Sequence, residues 1–424
     1  MASSVAFFAC ILFSCAISVS FATEQGFAGD YFSPFETEVR LENAYYKVEQ
    51  AQRIILKTGA NTSVADVLAI SKNIPKAQLI FSGDSFNYYL LLIESSFDST
   101  YQQVLASPLA LLAQPDIYLK RINEPFATTR ELKAAPSGVE QNTEKNAEKN
   151  AEKSTDAKPV NSNHSVLNNA GQKVQPVNIA IIDDGILLKH PALAHITPLF
   201  SYDVQTQSLD AQHKTKLDGH GTRIAGVLFA KDANNRVSGM AADANLIAIR
   251  SPNGWTSDTL LSLQLAQLAG ADLINCSWDM VVLVAPIADA IRHLSMNGRE
   301  GKGTVVVFSA GNDGQHIHKS MVNVAASGAL LVGALDTYGA PLVSSNYGEG
   351  VNVWASGQKV ITLSKRGGYS VVAGTSLAAA KTTGMAAQIM AADPSLAGRQ
   401  IIAALTKKTE TDNTTNNGKI NNND

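Results

Sequence analysis

The 424-residue sequence predicts an α/β fold, a doubly wound and mostly parallel sheet, preceded by a small α+β domain of ferredoxin-like topology. Three observations carry this expectation. Continuous apolar runs that end in acid, amide or glycine, Val177–Gly185 and Val305–Gly314, read as buried parallel strands whose C-terminal ends deliver polar groups. Helical patterns lie between such runs, and alternating strands and helices place helices on both faces of one sheet. Ahead of this block, residues 50–123 follow the order βαββαβ, a split-βαβ sandwich.

In chain order, Val5–Phe21 is an apolar segment short for a membrane span, and Ser20-Phe21-Ala22 offers the small residues that a signal peptidase reads. Residues 1–22 are therefore expected to be a secretory signal, which would place the protein outside the cell or in a periplasmic or envelope space, with no stable membrane span. Alternatively, Leu12-Phe13-Ser14-Cys15 resembles a lipoprotein box and would anchor the chain at Cys15. Cys10 and Cys15 both fall in this leader. Cys276 then stands alone, without an intramolecular disulfide, and its apolar setting reads as a buried small hydrophobe. A hydrophobic content of 45% with 17% charged residues suits a globular enzyme or scaffold, and a net charge of −3 argues against a nucleic-acid partner.

In the small domain, Arg53–Lys57, Gln78–Phe81, Tyr88–Ile93 and Asp116–Ile122 read as strands. Ser63 to Asp66 is a capping-box start for a helix carrying Val67, Leu68 and Ile70, and Phe97, Tyr101 and Leu105 fall four apart on a second helix. Residues 124–160 form a linker. The units Asn142–Lys145, Asn146–Lys149 and Asn150–Lys153 repeat with balanced charge and no apolar face to dock, which suits an accessible cleavage region. In the large domain, 161–406, Leu246–Ile249 and Leu273–Ser277 read as further strands, and Ala285–Met296 and Leu377–Met390 as helices. Residues 407–424 read as a polar tail.

Four motifs carry chemistry. Gly374-Thr375-Ser376 is a tight turn running into an Ala-rich helix; alone it would be an ordinary loop and N-cap. Asp183-Asp184-Gly185 ends one apolar run, Asp218-Gly219-His220-Gly221-Thr222 sets a histidine between glycines, and Asn312 follows another run. His220 lies 37 residues after Asp183, Asn312 lies 92 after His220 and Ser376 lies 64 after Asn312. Each interval is long enough for βα units to bring strand ends together. Aspartate, histidine, amide and serine at strand ends and helix starts are the parts of an acyl-transfer site. Strand alternation sends adjacent side chains apart, so only one of Asp183 and Asp184 is expected to reach His220.

On these motifs the stretch from about Val160 to Ala404 resembles the subtilisin-like serine proteases. Asp-Asp-Gly, His-Gly-Thr-Arg-x-Ala-Gly and Ser277-Trp278 are closer to the kexin and proprotein convertase branch. The resemblance implies an endopeptidase acting on polypeptides, with catalytic Asp183, His220 and Ser376, Asn312 in the oxyanion hole, and substrate-binding Ser277, Trp278, Asp279 and Gly311. It assigns the orienting role to Asp183, the first aspartate of the pair. It makes residues 50–123 similar to subtilase prodomains, which template folding and then inhibit, and so implies self-processing. No cofactor or metal is expected: Asn234-Asn235 resembles a calcium loop, but the segment before Gly239 is short.

Several residues depart from the pattern. Ala380 and Lys381 replace the usual proline and histidine after the nucleophile, and Asp279 stands where a glycine is common. Asp279 or Asp313 could favour basic side chains at the cleavage position, or both could be solvated loop charges. His190 reads as a turn residue before Pro191, and His316 and His318 as solvated loop residues. A non-catalytic binding or scaffold protein of the same fold is the alternative function. An esterase is disfavoured because no Gly-x-Ser-x-Gly elbow surrounds Ser376.

Overall fold

The computed structural model describes residues 31–42, 44–122 and 176–417. The expected leader with Cys10 and Cys15, the linker 124–160 and residues 418–424 lie outside the described residues.

The N-terminal domain comprises β1 (Glu38–Arg40), β2 (Tyr45–Gly59), α1 (Val64–Leu68), β3 (Lys76–Ser82), β4 (Phe86–Leu92), α2 (Phe97–Leu105) and β5 (Leu112–Ile122). Its antiparallel sheet has the order β1-β2-β4-β3, with β5 on the other side of β2. The βαββαβ path is the expected one; β1 and the 15-residue length of β2 were not legible as strands. The capping box at α1 is formed: Ser63 Oγ accepts from Asp66 N, and the Asp66 carboxylate accepts from Ser63 N. Phe97 and Tyr101 stack on α2 as expected, but Leu105 is 45% exposed and Val104 is buried in its place. Seven residues on, a helix returns close to the starting face; eight residues on, it has rotated away by roughly 80°.

The C-terminal domain runs β6 (Asn178–Asp183), β7 (Phe200–Asp203), α3 (His220–Phe229), β8 (Asn245–Arg250), α4 (Thr256–Leu268), β9 (Leu273–Asp279), α5 (Ala285–Asn297), β10 (Val305–Ser309), α6 (Asn323–Ala326), β11 (Ala329–Leu335), β12 (Val353–Ser356), β13 (Val360–Leu363), β14 (Tyr369–Val372), α7 (Thr375–Ala392) and α8 (Gly398–Asn417). Seven parallel strands lie in the order β12-β11-β10-β9-β6-β8-β7, and β13 and β14 form a separate hairpin. The helix α8 runs on into the stretch expected as a polar tail and continues through Asn417. Ile401 and Leu405 are buried on its first turns, and that docking starts a helix which the polar residues then extend.

Alternation along each strand splits the core into two layers. Ala180, Ile182, Ile274, Cys276, Val306 and Phe308 face one side, with residues of α4 and α5. Ile179, Ile181, Leu273, Val305, Val307 and Leu330 face the other, with residues of α3, α7 and α8. The chain leaves β6 for the β8-β7 edge and later returns to build β9 to β12 on the opposite side. The open crevice of such a sheet lies at the C-terminal strand ends beside that reversal, next to β6.

The N-terminal sheet sits on α4 and α5. Asp116 of β5 accepts from Ser257 N (3.0 Å) and Ser257 Oγ (2.7 Å), and so caps the first turn of α4. Asp289 of α5 receives Lys57 Nζ at 2.7 Å and the Tyr88 hydroxyl at 2.8 Å. Ser82 N donates to Gln264 Oε1, and Phe81 and Phe86 set His293 edge-on against their rings.

Candidate active site

Asp183 is the last residue of β6 and only 4% exposed. Both its carboxylate oxygens lie within hydrogen-bond reach of His220 Nδ1, at 2.9 and 3.0 Å, and Oδ1 also accepts from Asp184 N at 2.8 Å. His220 opens α3, and its side chain keeps a third of its surface in solvent. Burial alone would pull the imidazolium down, but the Asp183 carboxylate and its hydrogen bond, with Asp184 behind them, outweigh it and hold the pKa above the ordinary histidine value. Gly221 permits this approach: a Cβ there would stand 2.6 Å from Gly185 O and 3.0 Å from Asp183 Cβ.

Adjacent residues of the Asp pair do part, yet both reach residue 220. Asp183 takes the ring, and Asp184 takes the backbone: its Oδ2 accepts from Gly219 N (2.8 Å) and His220 N (3.0 Å), and its Oδ1 from Gly221 N (2.9 Å). Burial and the neighbouring Asp183 charge push the Asp184 carboxyl up, against the pull of these three amides. The expectation that only one aspartate would reach His220 thus holds for the ring and fails for the main chain. Alternation separates side chains, while a helix start presents amides over a wide arc.

Ser376 is the second residue of α7 and is buried. Gly374 turns the chain with φ +148°, and Thr375 then ties the turn to the end of β10. Thr375 N and Oγ1 both donate to Asn312 Oδ1, at 2.9 and 3.2 Å, while Gly311 N donates to Thr375 Oγ1. With its oxygen committed to Thr375, Asn312 has its NH2 end left for an incoming anion, and Asn312 is exposed. Ala380 and Lys381 do not interrupt α7, which runs unbroken for 18 residues; Ala380 is buried and Lys381 Nζ meets Ser356 Oγ.

Ser277 lies beneath the serine turn and does not line open space. Its Oγ donates to the Ser376 carbonyl at 2.9 Å and accepts from Asn275 Nδ2, and Asn275 Oδ1 in turn accepts from Thr383 Oγ1 of α7. Trp278 is half-buried, donates from Nε1 to Ile182 O and sets its ring edge-on to Phe308. Trp278 also walls a cavity of 350 Å³ shared with Tyr46, Ile117 and Leu119 of the N-terminal domain. Asp279 ends β9, and nothing of its side chain is described. Asp313 receives the Tyr46 hydroxyl at 3.4 Å. Buried Asn346 pins this rim, accepting from Asp313 N and Gln315 N and donating to Ala310 O.

One of the sequence readings, that of His318, changes in three dimensions. His318 is half-buried, with Nδ1 on Ser320 Oγ and its ring under Phe32, so it is not a solvated loop residue. His316 is exposed but packs edge-on to Tyr347. The loop likened to a calcium site is closed by a side chain: Arg236 grips the Asp232 carboxylate and lies over the Tyr369 ring at 4.1 Å. Among the described residues, no group of three or more His, Cys, Asp or Glu could hold a metal. Cys276 is fully buried, and burial pushes its thiol far above the usual range, which leaves it inert.

Asn346, Thr375, Asn275 and the backbone role of Asp184 were missed from sequence. So was Arg250, 1% exposed, whose guanidinium bonds Asp218, Asp203 and Gln205 and so braces the loop that leads into His220. Only a cation ending an apolar run could have flagged it.

The family model described as "Subtilase family" matches residues 175–423. The chain is 30% identical over 214 residues to the thermophilic serine proteinase of Bacillus sp. strain AK1, which covers 49% of this chain and 51% of that one. It is 28% identical over 237 residues to subtilisin DY of Bacillus licheniformis, covering 54% of this chain and 82% of that protein. The match thus spans about half the length of the first relative and most of the second. Among solved structures, a cold-adapted subtilisin-like serine proteinase aligns over 58% of this chain and 84% of its own, at 21% identity and TM-score 0.47.

Proposed function

Because the chain belongs to the subtilase family of serine endopeptidases, we propose that it cleaves peptide bonds with Ser376 as nucleophile, His220 as general base and acid, and Asp183 as the group that orients His220. The observation that carries this reading is the two-oxygen grip of Asp183 on His220 Nδ1. It fixes the tautomer with Nε2 unprotonated and able to take the Ser376 hydroxyl proton. As the oxygen attacks a carbonyl, negative charge develops on the carbonyl oxygen. The Asn312 NH2 and the Ser376 N–H, which at the second helical position has no intrahelical partner, are the donors that would stabilise it. His220 then hands its proton to the leaving amine, and water repeats the sequence on the acyl-enzyme.

The N-terminal domain is proposed as an intramolecular chaperone and inhibitor released by self-processing. Its seat on α4 and α5 and its Tyr46 contact to Asp313 support that role. Export by the leader, to the outside or to the cell envelope, belongs to the same proposal. Gly311, Trp278 and Asp279 are proposed to flank the substrate, and Asp279 or Asp313 to favour basic residues. Equal turnover of Arg-ended and Leu-ended peptides would remove the basic preference.

The test is intact mass and N-terminal sequence of wild type beside Ser376→Ala after incubation at neutral pH. Loss of the N-terminal region from the wild type alone is expected. Two full-length proteins that also ignore a serine-directed phosphonate would favour a non-catalytic scaffold.

A further inference from the structure

Resting on the serine-endopeptidase reading, we infer that Asp184 is a positioning residue for His220, holding the histidine main chain while Asp183 holds the ring. The N-cap of α3 is Gly219, which has no side chain to satisfy the open amides of the first turn. The three amides at that start are served from another element: Asp184, just past the end of β6, accepts from Gly219, His220 and Gly221 within 2.8 to 3.0 Å. A carboxylate at a helix N-terminus also complements the dipole there.

Asp184 acts twice on the same pair. Its own N–H donates to Asp183 Oδ1, so it helps aim the carboxylate that aims the ring. Its side chain sets where the ring starts from. Movement of the helix start toward β6 is limited, because even a Cβ on Gly221 would stand only 2.6 Å from Gly185 O. Without the Asp184 acceptor the free direction is outward, away from Asp183. Beside Asp183, the Asp184 charge also favours the protonated imidazole, while burial and the Arg223 charge on α3 oppose it, and so Asp184 contributes to the raised pKa of His220.

Two properties are therefore separable. Hydrogen-bond capacity sets how well the ring is placed, and charge sets where it titrates. Asp184→Asn keeps one acceptor oxygen and loses the charge, whereas Asp184→Ala loses both. With kcat counted per active site by phosphonate titration, the expected order is wild type, then Asn, then Ala, with Ala slower by on the order of tenfold or more and KM little changed, as befits mispositioning. The acid limb of kcat/KM should move to lower pH in both variants alike, which a loss of fold stability would not produce. If Ala does not accumulate, the near-isosteric Asn variant and its acid limb decide alone. Titrated variants with the kcat and acid limb of the wild type would overturn the assignment. A wild type that neither labels nor cleaves peptides would overturn the endopeptidase reading itself, and the role of Asp184 with it.

Discussion

On one face of the seven-stranded sheet lie α3, which begins at His220, and α7, whose second residue is Ser376, and α3 meets β13 closely at Gly226. A Cβ at Gly226 of α3 would fall 2.3 Å from Thr362 Oγ1 and 2.7 Å from Leu363 N. On the other face, α4 and α5 are covered by the N-terminal domain through Asp116, Lys57, Tyr88 and Gln264. The first contact sets the α3 backbone at Gly226 against the Thr362 hydroxyl and the Leu363 side chain and main chain, with no room for a methyl group. The second is a mixture of aromatic packing and charge-assisted hydrogen bonds, chemistry that water can replace when the surfaces part. The molecule thus contrasts a closely packed face at His220 and Ser376 with a face that carries the N-terminal domain, the domain proposed above to be released.

Substitutions can break that contrast in graded steps. On the catalytic face, His220→Ala is expected to lower kcat by about 10⁴-fold or more, read with a chromogenic peptide. Asn312→Ala removes one donor and should cost about 10²- to 10³-fold in kcat with little change in KM. Gly226→Ala tests the close packing. Its methyl meets the backbone of Leu363, so we expect a loss of roughly 1–3 kcal/mol in stability, seen as a lower thermal midpoint.

On the docking face the expected effects are smaller and local. Asp289→Ala strands the Lys57 ammonium and the buried Tyr88 hydroxyl, and should loosen the N-terminal domain by about 1–3 kcal/mol. In an uncleavable Ser376→Ala background this appears as faster amide exchange along β4 and α5, with α3 and α7 unchanged. A loss of protection on both faces would show that the two are one cooperative unit.

The subtlest test is pH. In the proposed role His220 is a base only when neutral, and the Asp183 carboxylate holds its pKa above the ordinary 6.5. Activity is therefore expected to fall as pH drops through a value above 6.5, and the acid limb of kcat/KM measures it.

Local pattern reached far into this chain. Apolar runs with polar ends located β6, β8, β9 and β10, and glycine-flanked Asp, His, Asn and Ser placed the reactive groups at strand ends and helix starts. These signals survive because strand alternation, capping and turns depend on neighbours in sequence. Four-residue strands such as β7, β12, β13 and β14 were not legible, since so few residues carry no period. α4 escaped for another reason: it is apolar on the sheet side and meets the N-terminal domain on the other, and so it lacks a clean polar stripe.

By itself the sequence determined the α/β class and the capped helix of the N-terminal domain, and it singled out Asp183, His220, Asn312 and Ser376 as the groups of the proposed site. Tertiary structure decided what holds them: Asp184 on the amides of α3, Ser277 on the Ser376 carbonyl, Asn346 under the Asn312 loop and Arg250 behind His220. The physical reason is range. A motif states which side chains are present within a few residues, whereas a hydrogen bond closed across 36 or 99 residues exists only once the strands have found their register.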